Sequence, residues 1–289
     1  MLEEPFTINK KKVRELNLRL IREHFEKRKG QLRYFGLPGE SMRDILLWKE
    51  FFSYFCAVER GEPGEEFLLQ HNLRLSAFKY GISDKLNLLR GELDNILLRG
   101  YDDYNNAVEY PFDVVTLDYC GGVIYKNSTG QSTRASSIGE LVRNQALHDK
   151  DFLLFLTCNL DNDDQGEIRK VFLDIQRDLN KLGVNADQAI KAYLAHPKKE
   201  AQLKMYVPYL IRTLSASTYR CETFKPVYYL GNKETHMMSF SFWMERSSNY
   251  AAGRPNRQSL VQLLNLPAFE CMDGGLRPTD FDIPKVEVS

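Results

Sequence analysis

The sequence predicts an α/β protein built on a doubly wound, mostly parallel sheet that ends in an antiparallel hairpin, with helical additions. Short, nearly uninterrupted apolar runs such as VVTL (114–117) and FLLFL (152–156) alternate with amphipathic stretches, the mark of strands covered on both faces. Near the end, two strand-like runs, 218–231 and 236–246, follow each other across the short segment NKET. With 43% hydrophobic and 12% aromatic residues over 289 positions, the chain can fill a sizeable core, which excludes global disorder.

Taken in order, residues 9–30 read as a helix starting near Asn9, with Val13, Leu16, Leu20 and Phe25 at helical spacing and Gly30 as its stop. LRYFGLPGE (32–40) reads as a strand entering a Gly/Pro turn, and SMRDILLWKEFF (41–52) as a helix with Ser41 as candidate N-cap. Strands follow at 53–60, 85–92, 111–122 and 151–160, with helices at 64–78, 137–148 and 165–183. Residues 186–216 suggest two further helices parted near His196-Pro197. The tail from Pro267, rich in Gly, Pro and Asp, reads as an irregular surface segment. The expected organisation is a basic N-terminal helix (1–30), a main domain over 31–246 with a helical insertion at 184–216, and a C-terminal helix and irregular tail (247–289).

Charge and cysteine usage narrow the function classes. Lys+Arg and Asp+Glu both number 39, which argues against a strongly polyanion-seeking protein while leaving local basic patches open. The first helix carries Lys10, Lys11, Lys12, Arg14, Arg19, Arg22, Lys27, Arg28 and Lys29, either a solvated face or a phosphate-attracting arm. Cys56, Cys120, Cys158, Cys221 and Cys271 show neither CxxC spacing nor a Cys/His ladder, so structural zinc and a disulfide scaffold are not expected. No apolar run is long enough to span a membrane and no apolar signal region opens the chain, so a cytoplasmic protein without a membrane partner is expected.

Ligands of an open parallel sheet sit beyond the carboxyl ends of its strands. There the sequence places Phe35, Gly36 and Gly39 after the first strand, Glu59 at the end of the second, Glu92 after the third, and Asp118 with Tyr119 after the fourth. Glycines admit close backbone approach. A carboxylate in the position of Glu59 can accept two hydrogen bonds from ribose hydroxyls, and one in the position of Glu92 can meet an adenine amino group. Asp118 is the most telling of these: a carboxylate after VVTL and before a Gly-Gly turn has little structural reason to be there.

In these motifs the chain resembles the class I, Rossmann-like S-adenosylmethionine-dependent methyltransferases over roughly residues 31–246. The resemblance implies S-adenosylmethionine as cofactor, with Phe35, Gly36 and Gly39 matching the glycine-rich first motif. It makes Glu59 the ribose contact, Glu92 the acid near adenine, and Asp118 the head of the fourth motif beside the methyl group. Two departures stand out: Tyr34 and Pro38 interrupt the usual acid-plus-glycines pattern, and the turn LDYCGG lacks the prolines of its relatives. That turn is similar to those of enzymes that methylate exocyclic amino groups of bases, which implies an RNA or DNA substrate, Asp118 and Tyr119 as catalytic residues, and an aromatic stacked on the base. Tyr101, Tyr104, Tyr119 and Tyr125 are candidate stackers or packing residues. A thiolate role for Cys120 is disfavoured, since it lacks the usual preceding proline and has no His or Lys nearby in sequence. A methyltransferase-like binding subunit without catalysis is the alternative, and a nucleotide-dependent oxidoreductase is a third reading that the missing GxGxxG disfavours.

Overall fold

The structure is a computed structural model that describes residues 5–37, 42–59, 66–119, 121–124, 133–159, 163–230, 235–247, 256–272, 275–279 and 281–286. It packs as two compact units. One holds Arg14–Asp118 and Ser136–Phe155; the other holds Met1–Val13, Tyr119–Ala135 and Leu156–Ser289.

The first unit is the parallel part. Strands β1 (Leu32–Gly36), β2 (Phe52–Glu59), β3 (Leu86–Arg90), β4 (Val114–Asp118) and β5 (Phe152–Cys158) lie in the order β3-β2-β1-β4-β5. Parallel registers Gly36↔Ala57, Gly36↔Thr116 and Glu59↔Arg90 align their carboxyl ends. β5 runs with β4, since the N–H of Leu153 donates to the carbonyl of Asp113 and the N–H of Tyr119 to that of Thr157, both at 2.9 Å, a register that ascends in both strands. The strands are short and apolar because both faces are covered: Val114, Val115, Leu117, Phe152 and Leu154 are all buried. Helices α2 (Arg43–Trp48), α3 (Glu66–Lys79), α4 (Leu93–Arg99) and α5 (Thr133–Ala146) follow strands as expected, α4 being an addition to the sequence reading. Trp48 packs edge-on against Tyr34 and tilted against Phe155, at centroid distances of 6.3 and 5.8 Å. Each such buried ring contributes about 1.5–3 kcal/mol.

Helix α1 (Pro5–Phe25) begins before Asn9, and a 3₁₀ turn, Glu26–Arg28, leads to Gly30. Its buried face is Val13, Leu18, Ile21 and Phe25 rather than one through Leu16 and Leu20. The expected N-cap Ser41 lies outside the described residues.

The second unit holds the reversed strands. The end of β5 faces β8 (His236–Arg246) through Thr157–Ser239 and Asn159–Met237 contacts, a descending register that makes the pair antiparallel. The predicted antiparallel hairpin is present, with its first arm divided. Its first arm is two strands, β6 (Tyr219–Thr223) and β7 (Val227–Leu230), each antiparallel to β8. Pro226, which has no N–H for a ladder, sits at the break.

The tail also departs from expectation, since it is not irregular. β9 (Ala268–Met272) pairs parallel with β7, and β10 (Gly275–Thr279) pairs antiparallel with β9. Proline is tolerated at Pro278 because β10 ends the sheet.

The predicted helices are α6 (Gln165–Lys181), α7 (Asp187–Ala195), α8 (Lys199–Ser215) and α9 (Arg257–Leu264). Asp164 caps α6 by accepting the N–H of Glu167, and Asn256 with Ser259 forms a capping box on α9. α8 is buried almost all round, so it is a core helix of its unit.

Candidate functional site

The first unit carries the expected strand-end constellation. Gly36 closes β1, Glu59 closes β2, Glu92 follows β3 by two residues and Asp118 closes β4. Because β2 and β3 lie to one side of β1 while β4 and β5 lie to the other, the strand order reverses between β1 and β4. That reversal is where open α/β sheets bind ligands, and Gly36 and Asp118 end the two strands that flank it. Glu59, Glu92 and Asp118 are each partly exposed.

Tyr34 and Thr116 add what the motif alone does not show. Both are buried; among the described residues neither hydroxyl makes a well-formed hydrogen bond, although the two hydroxyls interact with each other. Tyr34 shares the strand face of Gly36, and its hydroxyl reaches along the strand over that glycine. Burial, then the Asp44 carboxylate and, less strongly, that of Asp118, push the Tyr34 phenol well above its ordinary range, against opposing effects of the Thr116 hydroxyl and, smallest, Arg14. The residue in the place of the usual acid is therefore a neutral hydroxyl at physiological pH.

The remaining predicted residues separate into groups. The Phe35 side chain is fully buried and packs on Phe112 at 5.0 Å between ring centres, so only its backbone is available to a ligand. Gly39 and Cys120 lie outside the described residues, as does Tyr125. Beyond Glu92 the chain is held by Asp102, which accepts the N–H groups of Arg90, Tyr104 and Asn106 at 3.1, 2.9 and 2.8 Å. Burial opposes ionisation of Asp102, but these bonds and the Asn106 amide outweigh it and lower the carboxyl. Tyr101 and Tyr104 are exposed, with the guanidinium groups of Arg99 and Arg90 over their rings. Tyr119 is only 4% exposed, and the Arg134 guanidinium lies 4.6 Å from its ring centre. Its ring is packed, the second of the two alternatives the sequence offered for it.

The family model for PP_RS20740-like proteins matches residues 10–207. The chain belongs to the PP_RS20740-like family. No curated protein matches it. Among solved structures it is similar to an O-methyltransferase from Bacillus cereus in complex with SAH, at 11% identity over 79% of each chain with a TM-score of 0.42. It is also similar to the N-methyltransferase NodS from Bradyrhizobium japonicum WM9, at 8% identity over 85% of this chain and 99% of that one, TM-score 0.43. A precorrin-6y C5,15-methyltransferase from Geobacter metallireducens GS-15 shares 12% identity over 81% and 88% of the two chains, TM-score 0.38.

In this PP_RS20740-like chain several cations of the basic segment are paired within the fold, while Lys11, Arg19 and Lys27 are exposed. Arg14 pairs with Asp44, Arg22 and Lys29 pair with Glu50, and Arg28 pairs with the buried Asp113 at 2.7 Å. Lys12 donates to the carbonyl of Met272 at 2.5 Å. Cys56 is a buried thiol and Cys221 a half-buried one, each pushed up to about 12 mainly by desolvation, which disfavours thiolate chemistry there. Among the described residues no cluster could hold a metal ion, and no helix is long and apolar enough to cross a membrane.

Proposed function

We propose that the protein is an S-adenosylmethionine-dependent methyltransferase whose acceptor is an exocyclic amino group of a nucleic-acid base. The observation that carries this reading is the reversal of strand order between β1 and β4, with Gly36 and Asp118 closing the two strands and Glu59 and Glu92 ending their neighbours. The residues fit the cofactor. Buried hydroxyls with no well-formed hydrogen bond among the described residues, as on Tyr34 and Thr116, suit a polar ligand, and carboxylates at Glu59 and Glu92 suit ribose hydroxyls and an adenine amino group.

When bound, S-adenosylmethionine supplies an already activated methyl group, so the protein's work is alignment. Asp118 orients the acceptor amino group by accepting its hydrogen bond. The base as acceptor rests on the turn LDYCGG. With the Tyr119 ring packed under Arg134, recognition of a base falls to Asp118 and to other groups around the site.

Calorimetry with adenosylmethionine, adenosylhomocysteine and NAD tests the cofactor. Labelled-methyl transfer onto RNA, DNA and protein fractions tests the acceptor. Binding of NAD alone would overturn the reading, and labelling confined to protein would overturn the acceptor. One observation favours a second reading, a binding subunit without catalysis: Tyr34 stands where the resembling enzymes carry an acid. Cofactor binding with no transfer to any fraction would establish that alternative.

A further inference from the structure

The second unit has a polar cluster that the proposed reaction does not use. Asp163 is 9% exposed. Its Oδ1 accepts the N–H of Ile124 at 2.7 Å, and the hydroxyl of the fully buried Tyr206, on α8, donates to its Oδ2. The Arg134 guanidinium attracts the same carboxylate and donates from Nη1 to the carbonyl of Gly122 at 2.5 Å. Arg134 is also the group over the Tyr119 ring. Backbone bonds close the arrangement: Asp164 N–H donates to Ile124 O at 2.9 Å and Asn159 N–H to Gly121 O at 3.3 Å. The carboxylate presses so closely on the chain that a Cβ on Gly122 would collide with it.

A buried carboxylate contributes little to stability that apolar packing could not supply, and it is costly unless its oxygens are bonded. What it does supply is a fixed acceptor. Here both oxygens are bonded, one of them to the backbone of the segment that follows Asp118 and Tyr119 in the chain.

We propose that Asp163 is a positioning residue which, with Tyr206 and Arg134, fixes the backbone of the turn Gly121–Ile124. The effect on the turn stands by itself; only its consequence for catalysis rests on the proposed methyl transfer. Burial raises the Asp163 carboxyl to about 6, against the Tyr206 hydroxyl, the N–H groups of Ile124 and Val123, and Arg134. The ionisable groups facing this pair are Arg134 from α5, Tyr206 from α8 and, beside Tyr206, Cys158 from β5.

Amide exchange and nitrogen–proton spectra of the full chain test the proposal on wild type, Asp163→Ala, Asp163→Asn and Tyr206→Phe. In Asp163→Ala the Ile124 amide should exchange about tenfold faster while the Leu154 amide is unchanged. Asp163→Asn keeps an oxygen acceptor and should restore protection. The wild-type Ile124 resonance should titrate near pH 6, and that titration should vanish in Asp163→Asn. Unchanged exchange in Asp163→Ala overturns the proposal, as does a titration that survives in Asp163→Asn. If Asp163→Ala fails to fold, the Asn and Phe variants decide: Tyr206→Phe should move the titration midpoint, and an unmoved midpoint counts against the cluster. Adenosylhomocysteine calorimetry on wild type separates the two readings, since absence of binding would remove the methyltransferase and leave the exchange result intact.

Discussion

The hydroxyl of Tyr34 lies over Gly36. A Cβ on that glycine would stand 2.6 Å from the hydroxyl and 2.6 Å from the carbonyl oxygen of Thr116. β1 therefore ends in glycine for an internal reason as well as for any ligand: a tyrosine on the same strand face and the neighbouring strand already occupy the space. Gly36→Ala should cost about 1–3 kcal/mol in urea denaturation through this overpacking, and Tyr34→Phe in the same chain should recover part of the loss. A Gly36→Ala protein as stable as wild type would contradict the crowding.

Tyr34→Phe alone makes a sharper test. It removes a buried hydroxyl that makes no well-formed hydrogen bond among the described residues, so the ligand-free protein should become more stable by about 1 kcal/mol. Adenosylhomocysteine should at the same time bind more weakly, because the hydroxyl would have met the ligand. Stability and affinity moving in opposite directions is the expected signature. A gain in stability with unchanged affinity would remove Tyr34 from the proposed site.

Glu59→Ala should weaken adenosylhomocysteine by roughly 2–4 kcal/mol, the worth of two charge-assisted hydrogen bonds to ribose hydroxyls. Glu59 is the last residue of β2, so the substitution touches one strand end and little of the ladder. Equal affinity in calorimetry would reassign the ribose contact.

Asp118→Asn should leave the fold and cofactor affinity nearly intact while labelled-methyl transfer falls strongly. The amide keeps the shape at the end of β4 but loses the charge that orients an amino group. Transfer at the wild-type rate would exclude Asp118 from the mechanism.

Asp163 sets a pH dependence of stability. Its carboxyl rises from the ordinary 3.8 to about 6 on folding, so between those values the folded chain holds a proton that the unfolded chain has released. Its contribution to stability is then fullest below 3.8 and is lost as pH rises through about 6, by on the order of 2–3 kcal/mol. Comparing wild type with Asp163→Asn by urea denaturation from about pH 4.5 to 7.5 isolates this group, because other titrations cancel. The stability of wild type relative to the variant should fall across that range; a flat difference would show that Asp163 is not shifted.

Much of this architecture is legible in the sequence, because the signals are local. The apolar runs VVTL and FLLFL become β4 and β5, and the stop near His196 separates α7 from α8. The carboxylates at 59, 92 and 118 could be placed at strand ends because a strand's end is marked by the loss of its own apolar pattern. Where the local signal is weak, the reading fails. AFECM and GLRPT are short, partly exposed and punctuated by glycine and proline, so nothing within them announces β9 and β10. They become strands because β7 offers a ladder to the first and the first to the second.

By itself, then, the sequence determined the order of β1 to β5 and of most helices, and which acidic residues lie at or just beyond the ends of the parallel strands, since periodicity and turn residues act over a few positions. Tertiary structure alone decided that Arg14, Arg22, Arg28 and Lys29 are neutralised within the fold, that Arg134 covers Tyr119, and that Asp163 and Tyr206, 43 positions apart, share a buried hydrogen bond. Those pairings depend on which surfaces pack together and on the loss of water between them. In a buried setting an unpaired carboxylate is costly and a bonded one is rigid, so Asp163 becomes the fixed point of a turn.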